Sequence, residues 1–422
     1  MSKIAFFALW AFAFVIPFEL FIRWEEFGTM GRLVGVIAFG VGLVHIVLSG
    51  RLRPLGLFHV LTLFFVLWAG LSAFWTMDVS ETKERVWTYT QLGFMVWLIW
   101  ELAPSRDRQL DLLQAYVLGC YVSVLDTMMK FLAGVEQQTG RFAATGFNPN
   151  DLGFTLVLAI PMAWCLALSR PKGVLTWVNR LYPVFGMIAV ILTASRGSFI
   201  PAFVALLIIP WTLNKLRPRS RVAICVGGAA SLIMIASVVP ETSWERLSTA
   251  SDEIESGSFN ERGDIWRSGL EVLVDHPLQG VGAGAYAVAI EPILGWGRPP
   301  HQTFLSVLVG QGIVGLALWL GMFATAFFPV LRMPAVERKL WLVILMTLGI
   351  GLQVRTWDYR KPLWLILGIL AAHGVSTRIA SRRPEPLGVA PELGEPEPVV
   401  SVRALLPSGA VLEPLGNGPG HH

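Results

Sequence analysis

The stretch HQTFLSVLVGQGIVGLALWLGMFATAFFPVLR, residues 301–332, carries no charged side chain between His301 and Arg332. A bilayer core about 30 Å thick is crossed by about 20 apolar residues of helix. This run is longer than that, so it reads as a membrane span with a histidine at one boundary and an arginine at the other. Similar runs recur along the chain. Counted together they are 4–22, 32–49, 56–75, 86–103, 110–133, 151–169, 181–195, 198–213, 221–240, 302–331, 338–354 and 361–378. The expected architecture is an all-α polytopic membrane protein with about twelve transmembrane helices. The seventh and eighth runs nearly touch at Arg196 and read equally as one broken hairpin.

Composition agrees. Of 422 residues, 54% are apolar and 15% charged, and the mean hydropathy is +0.60. Soluble domains carry about 25% charged residues, so an ordinary soluble enzyme, a disordered chain and a fibrous protein are excluded. Many of the 17 Trp, 25 Phe and 6 Tyr lie near the ends of the apolar runs, as an interfacial aromatic belt requires. The net charge of +4 gives no nucleic-acid partner, because the basic residues are scattered between spans and form no stripe. Cys120, Cys165 and Cys225 all fall within apolar runs and suggest neither a disulfide framework nor a metal site. The first run, Ile4–Phe21, lacks a basic leader beyond Lys3 and reads as a retained span.

Basic residues between spans set orientation. With the N-terminus in the cytoplasm, the cytoplasmic connections hold Arg51 and Arg53; Arg106 and Arg108; Arg170, Lys172 and Arg180; Lys215, Arg217, Arg219 and Arg221; and Arg332, Arg338 and Lys339. The chain then divides into nine spans over 1–240, an outer cap over 241–301, three spans over 302–379, and a tail over 380–422. The tail is rich in Pro and reads as disordered and cytoplasmic. Its terminal His421 and His422 are given no function.

The cap has a helical stretch from Asn260 to Asp275. Ile265, Trp266, Leu270, Leu273 and Val274 recur near a 3.6 period, Asn260 is the expected N-cap, and His276-Pro277 ends the helix. Gly280, Gly282 and Gly284 follow. They lack the spacing and flanking elements of a dinucleotide fingerprint, and imply tight backbone folding beside the membrane or against a ligand.

Candidate chemistry gathers on the outer face. His301 places an imidazole at the water–lipid boundary, and histidine is the usual general base near neutral pH; an interfacial histidine with no catalytic part is the alternative. Arg196, in Thr193-Ala194-Ser195-Arg196-Gly197-Ser198, has no acidic residue near it in sequence. If Ser198 caps the following helix, its N-terminus and Arg196 form an anion site. Arg262 has Phe259, Ile265 and Trp266 as helical neighbours rather than acids. Arg267 instead has Asp264 and Glu271, so a surface ion pair is expected there. Arg141 opens the turn-rich run Gly146-Phe147-Asn148-Pro149-Asn150. Asp126 and Lys130, at i,i+4 spacing, should neutralise each other. His276 reads as a favourable cation at a helix C-terminus. Arginine matches phosphate oxygens bidentately, and the cap holds neither an Asp-x-Asp pair nor a Cys/His cluster. A pyrophosphate site with no metal and no other cofactor is the simplest expectation.

In the order Arg141…Asn150, Ser195–Ser198, Arg262…Gly284 and His301-Gln302-x-Phe304-Leu305, these pieces resemble the O-antigen ligase and O-antigen polymerase superfamily. The resemblance spans residues 141–315; members often have Asn or Ser where this chain has Gln302. It implies a GT-C-type glycosyltransferase of lipopolysaccharide biosynthesis in the bacterial inner membrane, with its active site on the periplasmic face. The implied donor is a glycan on undecaprenyl diphosphate. For a ligase the acceptor is a lipid A–core sugar hydroxyl; for a polymerase it is a second lipid-linked repeat unit. The implied roles are His301 as the base and Arg196, Arg262 and Arg141 as diphosphate ligands, with Arg267 and Ser198 secondary. The single outer segment before the histidine span favours the ligase. A lipid-linked oligosaccharide transporter is the non-enzymatic alternative.

Overall fold

The computed structural model describes residues 1–25, 28–138, 140–170, 172–238 and 261–381, with side chains except at 231–238 and 374–381. The expected N-cap Asn260, the first part of the cap and the tail beyond 381 lie outside these residues.

Helices occupy all twelve apolar runs. In chain order they are α1 (Ser2–Val15), α2 (Met30–Ser49), α3 (Leu57–Leu71), α4 (Val79–Leu102), α5 (Arg106–Leu132), α6 (Pro149–Ser169), α7 (Val174–Leu192), α8 (Arg196–Leu206), α9 (Ile208–Thr212) and α10 (Pro218–Val238). The cap supplies α11 (Arg262–Asp275) and α12 (Tyr286–Leu294), and α13 (Thr303–Phe327), α14 (Ala335–Leu352) and α15 (Lys361–Ser381) complete the chain. The strands among the described residues form one two-residue antiparallel pair, Arg23–Trp24 with Gly28–Thr29. The protein is thus an all-α polytopic membrane protein. By length and composition, seven described helical stretches are long and apolar enough to cross a membrane, and Ser2–Phe18 and Lys361–His373 are shorter apolar helices. Polar residues set the others apart: α4 carries Arg85, Gln91 and Glu101, and α14 opens with Glu337, Arg338 and Lys339.

Local chemistry starts these helices where the sequence changes character. Asp78 accepts from the backbone N–H groups of Ser80 at 2.9 Å and Glu81 at 3.0 Å, capping α4. Asn148 caps α6, accepting from Asn150 N–H at 2.8 Å, and Pro149 sits at the first helical position, where its missing N–H costs nothing.

Helix α6 is the centre of the bundle. Beyond its first turn it has no polar face, and 89% of its spanning window is buried, as expected of a helix that is apolar all round. It packs against α5, α7, α8 and α14. Between helices in lipid, close van der Waals packing replaces the hydrophobic driving force. Trp164, Trp319, Trp357 and Trp364 are the largest fully buried side chains.

The connections segregate to two ends. At one end Arg53 N–H donates to Glu101 at 3.2 Å, Arg106 pairs with Glu337 at 2.5 Å, and Arg170 pairs with Asp111 at 2.6 Å. At the other, Met77 N–H donates to Val281 O at 2.9 Å, and Lys361 pairs with Glu19 at 2.5 Å. His301 lies at this second end, with the cap and the link from α14 to α15.

Candidate active site

The cap is held by its glycines. Val281 and Gly282 donate backbone N–H bonds to Val309 O at 3.0 Å and Gly310 O at 2.9 Å, and Ile313 N–H donates to Pro277 O at 2.9 Å. These bonds engage α13 where it is broken: Gly312 has φ 68° and ψ −172° inside the helix. A Cβ on Gly312 would stand 2.1 Å from Leu278 O, and one on Gly280 would stand 2.5 Å from Gly312 N. The Gly280–Gly284 run therefore packs closely against protein: Gly280 against the α13 backbone, Gly282 against Thr76 and Gly284 against Glu81 O. Trp68 and Trp75 add indole N–H bonds to Gln311 O at 2.9 Å and Gln279 O at 3.3 Å.

Helix α11 buries Ile265, Ser268, Gly269 and Val272. Tyr286 on α12 donates its hydroxyl to Ile265 O at 2.8 Å, and Trp266 Nε1 donates to Pro300 O at 2.8 Å. The second bond ties α11 to the residue before His301. Glu261, in the left-handed conformation at φ 63°, precedes α11, and Arg262 is its first residue. Arg267 is exposed and forms no ion pair with Asp264 or Glu271 within 4 Å, which corrects the expected surface pair. Their proximity along the helix is not enough to hold long solvated side chains together. His276 follows the last turn as C-cap, where it was expected.

His301 is solvent-exposed and strained, with φ 50°, a conformation uncommon for a non-glycine residue. The next residues clamp it. Gln302 is the N-cap of α13, its side chain accepting from Leu305 N–H while donating to Gln353 Oε1 at 3.0 Å. Thr303 Oγ1 donates to Arg355 O at 2.6 Å and accepts from Trp357 N–H at 3.0 Å. The imidazole titrates below its usual range near 6.5, chiefly through partial burial, then through the positive charge of Arg262; Arg355 and Arg298 act in the same direction, and Asp151 opposes them. A neutral ring at neutral pH is the form that accepts a proton.

The break between α7 and α8 is three residues long, Thr193 to Ser195, with Ala194 at φ 45°. Arg196 is half-buried as the first residue of α8. Ser195, rather than Ser198, holds the N-cap position, and it makes no side-chain cap bond. Ser198 is fully buried, its hydroxyl 2.9 Å from that of Ser195, so it serves this turn instead of facing an open anion site. Arg141 is also buried, at 8% exposure. It donates to Thr193 O at 2.9 Å, Gln138 Oε1 at 2.9 Å and Asn150 Oδ1 at 2.7 Å. That geometry makes it a brace between the start of α6 and the α7–α8 break. The expected pair Asp126–Lys130 is present at 3.6 Å, and Asp126 also accepts from Thr145 N–H at 2.7 Å.

Sequence reasoning missed the link from α14 to α15, residues 353–360. Arg355, 4% exposed, reaches across the site. Its Nε donates to Asn150 O at 3.0 Å, Nη1 to Gly197 O at 3.1 Å, and Nη2 to Ser195 Oγ at 3.1 Å and Ser198 Oγ at 2.7 Å. The guanidinium lies over the Phe154 ring at 5.0 Å. Burial pulls its pKa down to about 10, against the field of Asp151. Asp151 accepts from Trp357 Nε1 at 2.9 Å and pairs with Arg360 at 2.6 Å; Asp358 pairs with Arg85 at 2.7 Å and accepts from Tyr89 OH at 2.6 Å. The available signal was an arginine just past the end of the apolar run 338–354. Among the described residues, no group of three or more His, Cys, Asp or Glu side chains is placed to hold a metal ion. A small cavity lined by Arg106, Gln109, Glu337 and His373 lies at the opposite end of the bundle, away from this chemistry.

A sequence profile of the O-antigen ligase family matches residues 181–320, which include Arg196, Arg262 and His301. The O-antigen ligase of Pseudomonas aeruginosa (strain PAO1) is 26% identical over 372 residues, covering 83% of this chain and 87% of that protein. Both similarities support the O-antigen ligase superfamily and an enzymatic role.

Proposed function

We propose that this chain, as a member of the O-antigen ligase superfamily, transfers an O-antigen glycan from undecaprenyl diphosphate to a sugar hydroxyl of lipid A–core. In this reading the reaction proceeds at the periplasmic face of the inner membrane. The observation that carries the proposal is the arrangement at one end of the bundle: a solvent-accessible histidine in a strained turn, its pKa lowered by partial burial and then by nearby cations, with the first residues of two helices, Arg196 and Arg262, at that same end.

The acceptor oxygen attacks the anomeric carbon and forms the new glycosidic bond. The bond from that carbon to the diphosphate oxygen breaks, and undecaprenyl diphosphate leaves with the electron pair. The acceptor's proton passes to His301. Negative charge grows on the leaving diphosphate, where Arg196 and Arg262 stabilise it; no metal is required in this scheme. In-line displacement inverts the anomeric centre. Arg141 supports the site by bracing the turn that carries Arg196, which revises its expected contact with the diphosphate.

The test is transfer by purified protein in detergent, with lipid-linked donor and lipid A–core. A covalent glycan–lipid A–core product is expected. A product formed only when a second lipid-linked repeat unit replaces lipid A–core would make the enzyme a polymerase. No covalent product with either acceptor would leave the transporter reading.

A further inference from the structure

We propose that Arg355 is a positioning residue of the transfer site, which registers the turn carrying Arg196 with the turn carrying His301. This rests on the transferase reading above.

The geometry has three parts. The guanidinium binds the last residue of the α7–α8 break through Ser195 Oγ and the first turn of α8 through Gly197 O and Ser198 Oγ. The same group binds the start of α6 through Asn150 O, next to the Asn150 side chain that accepts from Arg141. The main-chain carbonyl of Arg355 accepts from Thr303 Oγ1, two residues beyond His301. One residue thus joins three segments that are distant in sequence, and each of them bears on a candidate site residue.

Its chemistry suits that task. Arg355 is buried, so it is placed behind the substrate rather than against it, and among the described residues it makes no carboxylate pair within 4 Å: the acceptors given above are neutral carbonyls and hydroxyls. A buried ion is costly unless its hydrogen bonds are satisfied. Planar guanidinium geometry supplies four such bonds in fixed directions, which a lysine ammonium with three donors on one atom cannot reproduce. Its charge is therefore retained beside His301 rather than cancelled by a paired acid. The charged groups acting on His301 are Arg262, Arg298 and Arg355, which disfavour its protonation, and Asp151, which favours it.

Two substitutions and two readouts separate positioning from mere support. Arg355→Lys keeps the charge and loses the four-way geometry; Arg355→Met loses both. His301 titration is followed by NMR of protein labelled with ¹³C-histidine in detergent, with His301→Gln as the assignment control, and kcat and KM are measured in the transfer assay. Arg355→Lys should lower kcat at least tenfold with little change in donor KM, and leave the His301 midpoint near that of the wild type. Arg355→Met should lower kcat further and move the midpoint to higher pH, because a cation has been removed. If Arg355→Met does not fold, Thr303→Val, which removes the hydroxyl bridge alone, should still lower kcat. Normal kcat in Arg355→Lys or in Thr303→Val, with transfer intact in the wild type, would overturn the proposal. If the wild type makes no product, the transferase reading fails, and the coupling of the two turns still stands if Thr303→Val, which removes no charge, moves the His301 midpoint, and falls if that midpoint is unmoved.

Discussion

An imidazole exposed to solvent, yet held in a left-handed backbone conformation and bordered by three arginines, is poised to stay neutral. The sign of its pH dependence follows. Burial, and then the neighbouring cations, lower the His301 pKa, so the competent neutral form dominates down to a pH below the ordinary histidine value. Transfer should rise with pH along a limb centred below about 6.5, and Arg262→Ala should move what remains of that limb to higher pH. A rate profile with its limb unmoved in Arg262→Ala would contradict the assigned electrostatics. Replacing the base by His301→Gln should cost about 10²–10⁴-fold in transfer, the usual worth of general-base help, while binding of lipid-linked donor persists. Arg196→Ala and Arg262→Ala should each cost about 10²-fold, as removal of one oxyanion-type donor does. Exposed Arg267 should tolerate alanine with less than a fewfold change. Equal losses at all three arginines would mean that α11 presents a different face to substrate.

The elements that carry these side chains are defined by their interruptions. Helix α13 breaks at Gly312 and receives the cap there; α7 and α8 are separated by Ala194. Gly153 on α6 lets that second break pack closely, since a Cβ there would lie 2.7 Å from Ser198 Oγ and 3.0 Å from Thr193 Oγ1. Gly312→Ala should destabilise the protein by about 2 kcal/mol or more, from left-handed strand-like backbone that alanine resists and from collision with Leu278 O. The measurement is thermal unfolding in detergent, with transfer followed in parallel. Unchanged Tm and activity would show that the cap does not depend on this junction. The same junction explains why α11 stays beside His301: it is held through Pro277–Gly282 at one end and Trp266 at the other.

Across the bundle, α6 forms a buried axis and the two ends carry different chemistry. Arg51, Arg53, Arg106, Arg108, Arg170 and the residues around Arg338 belong to one end, whereas His301, Arg262, Arg196 and Arg355 belong to the other. This separation agrees with the inside-positive bias that the proposed orientation assumes. If arginines alone stabilise the departing diphosphate, transfer should survive EDTA. Loss of activity on chelation, restored by Mg²⁺ or Mn²⁺, would defeat the metal-free scheme.

Much of this was legible in the order of the residues. Hydropathy is a local property, so each of the twelve helical positions could be read from its own run, including the near-contact of two runs at Arg196. The boundary histidine was visible for the same reason: it adjoins thirty residues, 302–331, without a charge. The partners of Arg355 were not legible. Those of its guanidinium lie 157 to 205 residues away along the chain, and Thr303, which bonds its carbonyl, lies 52 away, whereas its sequence neighbour Asp358 faces Arg85 and Tyr89 instead. Arg141 was read as a ligand because no acid lies near it in sequence, and Ser198 as the cap of the next helix, yet helix packing buries both. Periodicity and charge spacing report what a helix offers on each side; which side chain becomes buried, and against what, depends on contacts that form only when distant helices pack together.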